Sequence, residues 1–195
     1  MATAITDPVE LVERAFSATR VVVAITTPAD YPRPTPCDEW DVRTLVNHIV
    51  GGAHWYAATM RDRASPPIEG DDDDVCTGDP LVAYDDGIGQ ALDALRAPGA
   101  LDGSIAFFGR DRPAATVASL CALDTFVHGW DLARALERAT DLDPAVAEAL
   151  LARTAGSIPD ALRGSDADAL YRPVSPAPDD APPADRLAAF LGRTP

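Results

Sequence analysis

The sequence predicts an all-α fold: one domain over residues 1–195, built as an up-and-down four-helix bundle with short extra helices at the C-terminal end. Three observations carry this expectation. Four long stretches place apolar residues at helical spacing between cap and proline signals. No repeat, heptad array or strand–helix–strand alternation interrupts them. Apolar residues make up 47% of the chain but aromatics only 6%, and alanine is abundant, a mix suited to helices that pack closely through small side chains.

Each element has its own signal. Thr6–Asp7–Pro8 reads as a cap followed by proline in the first turn, and the helix it opens runs to about Thr26. The polar, proline-punctuated TPADYPRPTPCDEW is a loop, after which Asp41 caps a second helix reaching about Arg63. Ser65–Asp79, with its DDDD run, reads as a solvated loop, since it lacks the alternating ligands and closing glutamate of a calcium-binding EF-hand. A third helix spans Pro80 to about Arg96. IAFFG is short and apolar, a strand or a bend, and a fourth helix follows from near Pro113 to about Ala139. Asp143 and Pro144 open a fifth. A Pro-rich segment, 173–183, then leads to a terminal helix over 184–192 that packs on the domain.

Composition excludes several function classes. A formal charge of −15 argues against a general nucleic-acid surface, which needs clustered cations, and against docking on anionic lipid. All sixteen basic residues are arginine. The N-terminal MATAITDPVELVERAF has no basic region before an apolar run, and no window is long enough to span a bilayer. Cys37, Cys76 and Cys121 are odd in number and lack CxxC spacing, so free thiols in a reducing cytoplasm are expected. Cys37, in a Pro-rich loop before a helix, reads as a passive thiol more readily than a reactive one.

The chemistry concentrates in ALDTFVHGWDLARALE, residues 122–137. With Asp124 at zero and 100° per residue, His128 falls at about 40° and Asp131 at about −20°. Val117, Leu120, Cys121, Val127, Leu132 and Ala135 share that face, so three polar groups sit inside an apolar stripe. Such groups need partners or a metal. Asp and His at i, i+4 put two ligand atoms one turn apart, the spacing used by metal sites in bundles. A third ligand must come from another helix, and both remaining histidines lie on the second. They are six residues apart, about 240° of rotation, and cannot both point inward. His54 shares its face with Arg43, Val50 and Arg61; His48 shares its own with Thr44, Leu45, Gly52, Trp55 and Thr59 and is the better candidate. His48, Asp124 and His128 would make three N/O ligands with an open position, as in a catalytic zinc site. The alternative is a buried His–Asp hydrogen bond without metal. For Asp131 three roles stay open: ligand, hydrogen-bond partner of an imidazole, or partner of Arg134 or another arginine, with a supporting role preferred to ligation. Thr44, Trp55 and Thr59 are candidates to line a pocket.

TPCDEWDVRTLVNHIVGG, DTFVHGWDLARA and DRLAAFLGR, in that order, resemble the mycothiol-dependent maleylpyruvate isomerases and their small single-domain relatives. The resemblance implies the DinB-like metal-binding four-helix bundle. It also implies a divalent metal, zinc foremost and Ni2+, Fe2+ or Mn2+ as alternatives, held by a histidine on the second helix and an acid-x-x-x-His pair on a later one. Those positions are His48, Asp124 and His128 here; the isomerases have glutamate where this chain has Asp124. Related enzymes activate a low-molecular-weight thiol, mycothiol or bacillithiol, for attack on an electrophile. The partners implied are a small thiol and an electrophilic substrate. The isomerases also carry a C-terminal domain for which 195 residues leave no room, so maleylpyruvate isomerisation itself is not the expected reaction.

Three functions follow as expectations. One is a metal-dependent thiol transferase or isomerase, monomeric or homodimeric. Another is a non-catalytic metal-binding or stress module. The third is a metal-free bundle that keeps the polar trio as a buried network and serves natural-product biosynthesis.

Overall fold

The computed structural model describes residues 5–38, 40–67, 74–158, 160–164, 171–178 and 180–195. Its helices are α1 (Pro8–Val23), α2 (Val42–Asp62), α3 (Pro80–Arg96), α4 (Ala114–Ala135), α5 (Pro144–Thr154) and α6 (Pro183–Phe190). One two-stranded hairpin, β1 (Ser104–Phe107) with β2 (Arg110–Pro113), is added to them. The fold is therefore mostly helical. Three residues of the DDDD run, Asp71 to Asp73, lie outside the described residues, as does Asp179 of the Pro-rich segment.

The expected caps form. The carboxylates of Asp7, Asp41, Asp79 and Asp143 each accept a backbone N–H at the start of α1, α2, α3 and α5. Asp7 and Asp41 each satisfy one of the donors that a helix start leaves open, and Asp79 and Asp143 each satisfy two. Two helices stop short of expectation. α1 ends at Val23, where the Thr26 hydroxyl turns back onto the Val22 carbonyl. α4 ends at Ala135, because Glu137 takes a left-handed conformation (φ 56°) and the Arg138 N–H bonds the Ala133 carbonyl at 2.9 Å.

IAFFG resolves as the end of a strand, Ile105–Phe107, followed by a turn at Phe108 and Gly109. Phe108 and Gly109 both have positive φ, 48° and 71°, and close a two-residue turn between the paired Phe107 and Arg110. Positive φ at both central residues suits the right-handed twist of the flanking strands. An isolated bridge between Ala64 and Ala106 joins this hairpin to the end of α2. Arg63 secures the same corner by donating to the carbonyls of Ala100, Asp102 and Ser104.

α1 packs on α4 and α3, and α2 packs on α3 and α4, so each long helix touches two others across one core. α4 also meets α5, α6 and the hairpin. Its buried residues accordingly lie all round it, from Ala114 and Val117 through Phe126 and Trp130 to Leu132 and Ala133. At Gly129, α1 and α4 come close enough that an added Cβ would lie 3.0 Å from the Thr19 Cβ. The outer helices are tied by polar contacts. Arg14 of α1 holds Asp143 with both Nε and Nη2. Asp185 of α6 accepts from Trp130 Nε1 at 2.8 Å and from the Thr140 hydroxyl at 2.7 Å.

Candidate metal centre

α2 and α4 face each other where His48, Asp124 and His128 converge. His128 Nε2 lies 3.5 Å from Asp124 Oδ1, and His48 Nε2 lies 3.8 Å from Asp124 Oδ2. One ligand atom from each residue falls within 4.8 Å of the other two. The two imidazoles meet edge to face with centroids 4.5 Å apart. One turn beyond His48, Gly52 faces the carboxylate: a Cβ there would lie 3.8 Å from Asp124 Oδ2, so the missing side chain keeps that space open.

His48 Nε2 is buried and has no hydrogen-bond partner among the described residues, although it points at a carboxylate. At 3.8 Å the pair is too long for a hydrogen bond and short enough to share an ion. An orphaned imidazole nitrogen beside a carboxylate and a second imidazole is the donor set of a divalent metal site. Protein surrounds Asp124 on most sides, yet 36% of its side-chain surface stays open, as does 34% of that of His48. Water therefore reaches Asp124 and His48, while His128 is more enclosed.

The electrostatics follow from this packing. Burial acts to raise the Asp124 pKa, but contacts from His128 and His48 prevail and hold it well below the usual carboxylate range. Burial likewise acts to lower that of His128, while Asp124, Asp131 and Cys37 raise it well above the usual imidazole value. Without a metal the ring therefore favours its charged form, so ligation must displace a proton.

Behind His128 lies a second set of contacts. Asp131 is fully buried, and its Oδ2 accepts from His128 Nδ1 at 3.1 Å, from the Cys37 thiol at 3.3 Å and from Arg193 Nη2 at 2.9 Å. Arg193 Nε adds a bond to Oδ1 at 3.2 Å. In the structure Asp131 thus contacts both an imidazole and an arginine, and that arginine is Arg193 rather than Arg134. Cys37, His128 and Asp131 also bring three potential ligand atoms within 4.8 Å. The guanidinium on both Asp131 oxygens makes that corner a poor place for a cation.

The proposed pocket residues find other contacts. The Thr44 hydroxyl donates to Asp41, inside the α2 cap. Trp55 Nε1 donates to the Pro66 carbonyl, and its ring stacks on Phe108 at 5.4 Å and meets Phe107. Thr59 is buried with its hydroxyl on the Trp55 carbonyl. His54 turns to α3, with Nε2 3.0 Å from the Ala83 carbonyl. The aromatic beside the trio is Trp40, with its ring centroid 4.8 Å from His48 and 5.8 Å from His128. Trp40 and Arg193 lie within two of the resembling motifs, TPCDEWDVRTLVNHIVGG and DRLAAFLGR, but neither was singled out as a residue of the site. Neither lies on the helix faces that periodicity picks out, one being in a loop and the other past the end of the last helix. All three cysteines are free, as expected.

The sequence profile of the mycothiol maleylpyruvate isomerase N-terminal domain matches residues 12–133, well over half of the chain. Two uncharacterised proteins of Mycobacterium tuberculosis, from strains CDC 1551 / Oshkosh and ATCC 25618 / H37Rv, are each 32% identical over 193 residues, covering 96% of this chain and 98% of theirs. No solved structure matches the chain significantly. The matched residues contain His48, Asp124, His128 and Asp131 but not Arg193.

Proposed function

The chain belongs to the mycothiol maleylpyruvate isomerase N-terminal domain family, and from that premise we propose that it is a DinB-like four-helix bundle holding a divalent metal on His48, Asp124 and His128. Two imidazoles and one carboxylate suit zinc, with Ni2+, Fe2+ and Mn2+ as the competing ions. The activity that fits is a thiol-dependent S-transfer or isomerisation on a small electrophile, with a mycothiol-type thiol as cosubstrate. A bound ion would supply Lewis acidity that lowers the pKa of a coordinated thiol or water.

The chain's own residues have separable parts in this reading. Asp131 accepts a hydrogen bond from the Nδ1–H of His128, which leaves Nε2 to face the trio. Trp40 covers one side of both imidazoles and restricts water there. Asp124, one methylene shorter than glutamate, lies between both histidines, with Gly52 on the facing side of α2.

The observation that carries the proposal is the orphaned His48 Nε2 aimed at Asp124. The test is metal analysis of protein purified without chelator, followed by cobalt substitution. One ion per chain is expected in the wild type and a small fraction of that in His128→Ala and His48→Ala. A mycothiol-type thiol should alter the visible spectrum of the cobalt protein. Equal metal in wild type and His128→Ala would end the metal assignment. Metal binding with a spectrum indifferent to thiol would leave a metal-binding protein without the proposed chemistry.

A further inference from the structure

A fully buried carboxylate is costly unless its charge is shared, and Asp131 shares its charge with a residue sixty-two positions away. Arg193 grips both oxygens, Nε on Oδ1 and Nη2 on Oδ2, so the guanidinium fixes the plane of the carboxylate as well as balancing its charge. The same Oδ2 receives His128 Nδ1. The ring that presents Nε2 to Asp124 is therefore held from behind by a chain of two residues.

The backbone around Arg193 is built to keep it there. α6 ends with Gly192 at φ +91°, where the Gly192 N–H bonds the Ala189 carbonyl at 3.0 Å and the Arg193 N–H bonds the Ala188 carbonyl at 2.9 Å. This is a Schellman closure, which needs a left-handed residue at that place. A side chain at Gly192 would also press on Arg172, meeting its Cα at 3.0 Å. Arg163 donates to the carbonyls of Phe190 and Arg172, and Asp185 ties the start of α6 to Trp130 of α4. This C-terminal strap, α6 and the chain to Arg193, is clamped at both ends, and Arg193 reaches inward from it with only 20% of its side-chain surface open.

We propose that Arg193 is a positioning residue of the metal centre: through Asp131 it fixes the His128 ring, and docking of the C-terminal strap is thereby coupled to metal affinity. This rests on the metal reading above and extends the working site beyond residues 12–133, the segment that the family profile matches. Losing the guanidinium leaves the Asp131 carboxylate free to rotate toward Cys37, and His128 loses its anchor.

The test is Co2+ titration of wild type, Arg193→Gln and Arg193→Lys, with Asp143→Asn as a control that loosens the distant Arg14 pair without touching the site. Arg193→Gln should weaken Co2+ binding about 10–100-fold and shift the visible bands. Arg193→Lys should recover part of the affinity, and Asp143→Asn should bind as wild type does. Wild-type affinity and bands in Arg193→Gln would overturn the proposal. Should Arg193→Gln fail to fold, the double variant Asp131→Asn/Arg193→Gln, which buries no charge, carries the same expectation. If wild type itself binds no Co2+, the metal reading fails, and the strap is then judged on the metal-free protein. There, nitrogen-15 NMR should find a slowly exchanging Nδ1–H on His128 in wild type that is lost in Arg193→Gln; its persistence in the variant would refute the positioning role.

Discussion

Gly129 follows His128 directly and is the weak helix former in an otherwise strong helix, so Gly129→Ala tests why it is there. On propensity alone alanine should gain about 1 kcal/mol. The structure predicts the opposite. A Cβ at this position lies 3.0 Å from the Thr19 Cβ and 3.1 Å from its Cγ2, and closer still to the hydroxyl. Rotating Thr19 does not help, because its Cβ stays in place and its hydroxyl would leave the Thr125 carbonyl, which it now bonds at 2.9 Å in the buried seam. Overpacking costs about 1–3 kcal/mol. Stranding the hydroxyl costs about 1–3 kcal/mol more.

Less the propensity gain, the net loss is about 3 kcal/mol, or a fall of about 6–12 °C in Tm for a chain of this size. The assay is a double-mutant cycle, by urea and thermal unfolding, over wild type, Gly129→Ala, Thr19→Ala and the pair. Thr19→Ala removes both the clash and the hydroxyl, so the pair should be more stable than Gly129→Ala and show a coupling of at least about 1 kcal/mol. Co2+ affinity should follow the same order, since the displaced turn carries His128. A Gly129→Ala protein as stable as wild type, or a cycle without coupling, would refute the close-approach reading.

Other outcomes follow from the same geometry. Trp40 lies within 6 Å of both imidazoles, so Co2+ or Ni2+ should quench tryptophan fluorescence in wild type and leave Trp40→Phe nearly unaffected; equal quenching in both would place the ion elsewhere. In metal-free protein, the depressed Asp124 pKa contributes stability above about pH 4 that is lost as pH falls, and the raised His128 pKa contributes stability below about pH 6.5 that is lost as pH rises through the folded value. The Tm gap between wild type and His128→Gln in chelator should thus be widest between those limits and narrow at higher pH; a gap that widens there would reverse the assigned sign. Proton release on metal binding should be measurable calorimetrically in buffers of different ionisation enthalpy. Asp124→Glu should keep a metal with altered visible bands, while Asp124→Asn should lose most of its affinity; metal content by elemental analysis decides both.

Much of this was legible in the chain because it is local. The caps at Asp7, Asp41, Asp79 and Asp143 depend on backbone within a turn, and the stripe of Asp124, His128 and Asp131 depends only on helical rotation. His48 was separable from His54 for the same reason. Reading stopped at chain reversals and at contacts between distant segments. The ends of α1 and α4 fell short of their apolar periods, since Thr26 and the left-handed Glu137 close them first. Trp55 shared the His48 face by angle, yet the hairpin draws its ring to Phe107 and Phe108.

The sequence by itself determined the helical class, the helix starts and the side chains that share a face, because spacing along one helix needs no knowledge of any other. The tertiary structure alone decided that Trp40 roofs the histidines, that Gly129 lets α1 approach α4, and that Asp131 is answered by Arg193. Those contacts bring loops and strap onto the helices across dozens of residues. They are set by how the faces pack, which no periodicity within a single segment encodes.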